Sequence, residues 1–226
     1  DQTVDRLESA GVVAVGTRHS QRRRHDWGRL TQVGDLNIGW VSCTFGTNGY
    51  PDPLDQVLDC YTEKPQTLAA ISGLAARRDV DAVFFVPHWG IENQLVIARR
   101  QSSLAREAIS AGAAIVVGTH PHILQEWDWM KSKFGRAIPI IYSTGNFIST
   151  QPLPHQRDGL ILIVTLHKSS KGSKAHVVST RYILTEFEYP PGNMSFVEFD
   201  PVRHSVLPVQ AQLREGELKR YLGACE

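Results

Sequence analysis

Between residues 80 and 142, short β-branched apolar runs alternate with an amphipathic segment, and this feature restricts the chain more than any other. Residues 80–86 read as a buried strand and residues 101–111 as a helix closed by Gly112. Residues 114–117 and 138–142 read as two further buried strands. Consecutive strands joined by a helix must run parallel, and a parallel sheet needs cover on both faces. Upstream, residues 3–10 predict a helix and residues 12–16 a strand ending in Gly16. Gly34-Asp35 reads as a turn into a central strand at 36–45, and residues 66–78 as a helix with Pro65 at its start, where proline is tolerated.

After residue 160 the spacing changes to that of hairpins. Strands are predicted at 160–167, 175–184 and 195–199, with a polar turn at 169–173, and a final helix at 211–222. Parallel units first and antiparallel strands later suit an α/β layered sandwich with helices outside two packed sheets; a doubly wound single sheet with an antiparallel extension is the alternative. At 226 residues we expect one domain, 1–226, whose part from 160 to 226 is richer in β-structure.

Composition excludes more than it selects. The hydrophobic fraction of 42% and charged fraction of 21% belong to a folded globular chain. Lys plus Arg number 24 against 23 Asp plus Glu, a net charge of +1 that gives no reason to expect a nucleic-acid partner. The run Arg18-His19-Ser20-Gln21-Arg22-Arg23-Arg24-His25 is read as a solvated surface loop, with contact to an anionic polymer or phosphate as the alternative. Cys43, Cys60 and Cys225 are too few and too widely spaced to identify a compartment or a zinc knot.

Three predicted strands end in polar clusters, where α/β sheets build their sites. These are His88-Trp89-Gly90-Ile91-Glu92, Gly118-Thr119-His120-Pro121-His122, and Tyr142-Ser143-Thr144-Gly145-Asn146-Phe147. His120 and His122 stand two apart. If Pro121 keeps the segment extended, both imidazoles leave one face and can share an ion with His88. Gly90, Gly118 and Gly145 would let backbone approach a bound ion or anion. Glu92 has three open roles: ligand, carboxylate orienting an imidazole, or first-turn acid of a following helix. For Glu126-Trp127-Asp128-Trp129, core or interface packing is expected ahead of a pocket wall.

In order, spacing and wording, three segments resemble the CapA/PgsA proteins of poly-γ-glutamate capsule synthesis: Phe85-Val86-Pro87-His88-Trp89-Gly90-Ile91-Glu92, Gly118 through Gln125, and Pro139 through Phe147. The likeness is strong over 80–150, fair from 1 to 45 and weak after 159. That family is similar in fold to the calcineurin-like metallophosphoesterases. The resemblance therefore implies a layered α/β/β/α sandwich, a divalent metal (Zn, Mn or Fe) on His88, His120 and His122, and catalytic roles for His88, Glu92, His120 and Asn146. It also implies an extracytoplasmic, membrane-associated setting among capsule-synthesis membrane proteins. Upstream family motifs (Gly-Asp, Asn-x-Glu, Asn-Asn-His) do not stand before residue 3. The expectation is of a chain lacking the N-terminal third, holding half a site and binding metal weakly or not at all. Thr119 replaces a family His, and Thr144 a common Leu.

Two functions follow from the resemblance. One is metal-dependent hydrolysis of a phosphoester, or of an amide, with Asn146 helping to orient an anionic substrate. The other is a non-catalytic capsule-assembly or polymer-binding subunit on the same scaffold. A nucleotide-binding domain is disfavoured because no G-x-G-x-x-G or P-loop follows a strand.

Overall fold

The computed structural model describes residues 1–21, 27–149, 151, 153–188 and 195–198. The protein is a mixed α/β chain built on a six-stranded sheet in the order β1-β2-β3-β4-β6-β5. Its centre is parallel: β2 (Leu36–Val41), β3 (Ala82–Phe85), β4 (Ile115–Val117) and β6 (Ala137–Ile141). The edge strands β1 (Arg29–Val33) and β5 (Trp127–Lys131) pair antiparallel to their neighbours. A second, antiparallel sheet joins β7 (Asp158–His167), β8 (His176–Glu188) and β9 (Ser195–Glu198).

Period-two alternation in the central strands sorts the core into two sides. Helix α1 (Gln2–Ser9) precedes the sheet; Val41, Val83, Phe85, Val116, Ile138 and Ile140 face helices α2 (Lys64–Ala76) and α3 (Arg99–Ala111), and pack with Ile71, Leu74, Leu104 and Ala108. Burial of each large aliphatic chain contributes about 1.5–3 kcal/mol. Ile38 and Ala82, with Trp40 and Phe84 beside them, turn the other way and meet Leu166 of β7 and Ala175 just before β8. Trp127 on β5 meets Tyr182 on β8 edge-on at 5.7 Å, so Trp127 packs between the sheets. The helix, first-sheet and second-sheet layers of the expected sandwich are therefore present. The predicted helix at 211–222 lies outside the described residues, as does Cys225. Among the described residues no helix is long and apolar enough to cross a membrane.

The two sheets are clamped at the end remote from the strand-end clusters. Buried Asp81 takes Lys168 at 2.5 Å and accepts the Asn37 N–H. Burial raises the Asp81 pKa, but Lys168 and the Asn37 amide outweigh it and hold the carboxyl below its usual range. Lys174 caps the carbonyls of Arg77 and Val80.

Several local expectations change. The 12–16 run is not a strand: Val12 and Val13 are 49% and 45% exposed. Among the described residues no strand pairs with the run; the Val12 N–H turns back to the Leu7 carbonyl, and Thr17 beyond it bridges to Val57. Edge strands β1 and β5 carry mixed polar residues that hid their period, although Gly34-Asp35 forms the expected turn between β1 and β2. Arg18 is not a solvated loop residue. It is 2% exposed, donates to the carbonyls of Asp55 and Leu54, and lies over Trp27. Residues 22–25 of that basic run lie outside the described residues.

At the opposite end, Trp89 is fully buried and its indole N–H donates to the Tyr142 carbonyl at 3.0 Å, reaching across Gly118. A Cβ on Gly118 would stand 2.2 Å from Tyr142 O and 2.3 Å from Trp89 Nε1. Gly118→Ala should therefore cost at least about 2 kcal/mol in denaturant unfolding. Gly73→Ala, on an exposed and open face of α2, should be neutral or stabilising by up to about 1 kcal/mol. Equal midpoints for the two variants would contradict this packing.

Candidate metal centre

All three polar clusters lie at the carboxyl ends of adjacent parallel strands β3, β4 and β6. Beyond the strands proper, the backbones stay in register one residue at a time: Thr44 bridges His88, and His88 bridges Thr119. This lateral row brings the imidazoles together. The His88 and His120 ring centroids are 4.7 Å apart, and those of His120 and His122 are 6.0 Å apart. Glu92 joins from the loop after β3. One ligand atom each from Glu92, His120 and His122 lies within 4.8 Å of the others. His88 stands beside this group, against His120, rather than within it.

His120 and His122 converge by a different route from the extended one expected. Their φ angles are 101° and 59°, both in the left-handed region, so the chain kinks on either side of Pro121. Such backbone costs about 1–3 kcal/mol per non-glycine residue and persists only where the surroundings hold it. Here the Pro121 carbonyl accepts the Asn93 N–H, and the His122 ring is gripped by Asn146. Glu92 cannot be a first-turn helix acid, because α3 begins only at Arg99. Glu92 is exposed, whereas His120 is 7% exposed.

Asn146 is committed to the protein. Its Nδ2 donates to the carbonyls of Gln156 (2.6 Å) and His122 (3.3 Å), which settles the orientation of the amide. Its Oδ1 then lies 2.8 Å from His122 Nδ1, which must carry the proton. That leaves His122 Nε2 as the lone-pair nitrogen, the tautomer suited to a metal ligand with an outer partner. Asn146 thus positions His122, where sequence reasoning had it orienting substrate. Gln156 continues the chain through Nε2 to Asn93 Oδ1, tying the loop after β6 to the loop that carries Glu92. A parallel relay runs from Gln101 to Gln125 to the Gln94 carbonyl.

Thr119 places its hydroxyl 3.0 Å from His88 Nδ1. The Phe45 ring covers the pair, 4.1 Å from His120 and 6.1 Å from His88. Phe45, Asn93 and Gln156 were not singled out from sequence, and Phe45 reads there as one more apolar residue in the 36–45 run. The glycines pack tightly against the protein: a Cβ on Gly145 would meet the Asp158 carbonyl at 2.2 Å, and one on Gly90 would meet the Gln101 side chain.

Electrostatically the His120 and His88 imidazoles are kept neutral. Burial first, then the neighbouring His88, lowers the His120 pKa to about 4, with Glu92 pulling the other way. His88 is lowered by burial and then by His122, again opposed by Glu92. Neutral nitrogens beside one carboxylate make a donor set that fits Zn, Mn or Fe.

Two outcomes should follow. Asn146→Leu frees the His122 ring and should weaken Zn²⁺ or Mn²⁺ binding by about 10–100-fold in calorimetric titration; unchanged affinity would remove Asn146 from the positioning role. For the metal-free protein, the unfolded chain takes up a proton near pH 6.5 that folded His120 refuses until about pH 4. Stability should therefore fall as pH drops through that window, and His120→Gln should flatten part of that fall in denaturant midpoints measured at pH 7 and pH 5.

Comparison with known proteins bears on the same segments. Residues 1–151 match the family described as Bacterial capsule synthesis protein PGA_cap. The chain is 37% identical over 84 residues to the Capsule biosynthesis protein CapA of Bacillus anthracis, covering 37% of this chain and 19% of that protein. It is 35% identical over 97 residues to the PGA biosynthesis protein CapA of Bacillus subtilis strain 168, covering 43% and 24%. The matched stretch is thus less than a quarter of either relative. Two solved structures overlap loosely, each with a TM-score of 0.42. A hypothetical protein from Thermus thermophilus is 16% identical, with 87% of this chain and 70% of that one covered. The NAD nucleotidase of Haemophilus influenzae is 10% identical, with 76% and 34% covered. Neither overlap is close enough to carry a function. With its three histidine-bearing and glycine-bearing motifs in order and the family match extending over residues 1–151 of 226, the chain belongs to the bacterial capsule synthesis protein family PGA_cap.

Proposed function

We propose that this chain carries a metal-dependent hydrolase site, of phosphoesterase type, that serves poly-γ-glutamate capsule biosynthesis or export. The observation that supports this most is the mutual approach, within 4.8 Å, of ligand atoms from Glu92, His120 and His122, with the His88 ring against His120. Glu92, His120 and His122 would hold a divalent ion, and His88 would be either a further ligand or the group that receives a proton beside it. A bound divalent ion would lower the pKa of a coordinated water and polarise the bond under attack.

The rest of the chemistry falls to the chain itself. Asn146 holds His122 in one tautomer, Thr119 fixes the angle of His88, and Phe45 lies against the rings of His120 and His88. Glu92, exposed at the mouth, is the group through which solvent and substrate would first sense the site. The substrate class is a phosphoester, or an amide of an anionic polymer such as poly-γ-glutamate. The names of the relatives, both concerned with capsule or PGA biosynthesis, support the biological setting. An extracytoplasmic location near capsule-synthesis membrane proteins belongs to the same reading. The Cys43–Cys60 disulfide supports it, since such bonds persist in oxidising compartments.

The test is reconstitution of the purified protein with Zn²⁺ or Mn²⁺, followed by metal analysis and an assay on a generic phosphodiester. Stoichiometric metal and turnover are expected. His120→Ala should lose the metal and at least about a hundredfold in rate. Failure to take up either metal under any reconstitution would leave a non-catalytic polymer-binding or assembly subunit as the better reading.

A further inference from the structure

Two buried cysteines lie close to the site without forming part of it. Cys43 and Cys60 are 1% and 0% exposed and joined as a disulfide across a sequence separation of 17 residues. Residues 43–45 form a rib one strand wide, held on both sides. On the outer side Thr44 N–H donates to the Leu58 carbonyl and Cys60 N–H donates to the Thr44 carbonyl. On the inner side His88 N–H donates to the Cys43 carbonyl, and Phe45 N–H to the His88 carbonyl, both at 2.8 Å. The ring at the end of this rib, Phe45, is the one that lies 4.1 Å from His120.

We infer that the Cys43–Cys60 disulfide is a positioning device for the metal centre: by pinning the 43–45 rib it seats Phe45 over His120 and fixes the backbone of His88, so that ion affinity depends on the disulfide having formed. This rests on the reading of Glu92, His120 and His122 as ion-binding groups.

Three observations carry it. The segment between the cysteines is open to solvent, with Tyr50 77% and Leu54 56% exposed, so packing alone does little to hold its middle. Its far half is tied independently, through Arg18 to Leu54 and Asp55 and through Leu58 N–H to the Gly16 carbonyl. The near half, residues 43–47, is held chiefly by the rib hydrogen bonds and the disulfide. Opening the disulfide therefore leaves the half that bears Phe45 to the rib hydrogen bonds alone. The left-handed backbone at His120 also needs a rigid neighbour to persist, and Phe45 is the ring that lies against it, tilted by 33°.

Complete burial of both sulfurs means that no reductant reaches them in the folded chain. The bond is accordingly made as the chain folds. Two thiols lose two protons and two electrons to a thiol–disulfide oxidant, which leaves as a dithiol. The centre is assembled by oxidation, not toggled by it.

The experiment titrates Mn²⁺ alone, a cation with little affinity for thiols, into the whole chain, reading free Mn²⁺ by electron paramagnetic resonance. Oxidised wild type, the Cys43→Ser/Cys60→Ser double variant, Phe45→Ala and Phe45→Tyr are compared. The double variant and Phe45→Ala should each bind about tenfold or more weakly, and Phe45→Tyr, which keeps a ring over His120, should bind as wild type. If the double variant does not fold, Phe45→Ala, with the disulfide intact, decides. Folded variants that bind as tightly as wild type overturn the positioning role while leaving the ion site standing. No Mn²⁺ or Zn²⁺ binding by oxidised wild type overturns the ion site itself, and this inference with it.

Discussion

The hydrogen bond from the Trp89 indole to the Tyr142 carbonyl is the interaction on which the site depends. It spans the end of β4, passing over a position where only hydrogen fits, and so locks the ends of β3, β4 and β6 at one height. Phe85 meets the indole edge-on and Tyr142 stacks near it, both with ring centroids 6.1 Å away. A buried indole N–H left without a partner would be costly, so the bond is stringent as well as favourable. With the three ends level, His88, His120 and Asn146 open into one place.

Above that floor, the site is organised by amides more than by charges. Asn146, Gln156 and Asn93 form one chain of hydrogen bonds, and Gln101, Gln125 and the Gln94 backbone form another. Both reach from the loops after β4 and β6 to the loop bearing Glu92. Neutral donors and acceptors hold ligands in place without adding to the charge that an ion would meet. His120 and His88, desolvated and crowded together, stay unprotonated, which is the state that ligation requires. The left-handed backbone at His120 and His122 is sustained by these contacts together with the cover supplied by Phe45.

Much of the fold was legible because parallel strands buried on both faces are nearly continuous apolar runs. β3, β4 and β6 fall within a few residues of their predicted spans, and α2 and α3 are marked by Pro65 and Gly112. The same reasoning failed at the edges. β1 and β5 are half solvated and mixed in composition, so their period was lost. The 12–16 run had strand-forming residues but no partner strand among the described residues, and propensity without pairing does not make a strand. The hydrogen-bonding role of Asn146 was likewise invisible, since an amide's partners are set by loops that meet only in three dimensions.

By itself the sequence determined which groups could do chemistry and that they would lie at one end of the sheet, because strand ends in an α/β alternation share an edge. It determined family membership through motif order as well. Tertiary structure alone decided that Glu92 joins His120 and His122 in one group of ligand atoms with His88 beside it, that Cys43 reaches Cys60, and that Phe45 lies against His120. Each of these is a distance between loops whose ends are fixed by packing many residues away. Local pattern carries direction and period along the chain, but no information about where a second loop will cross it.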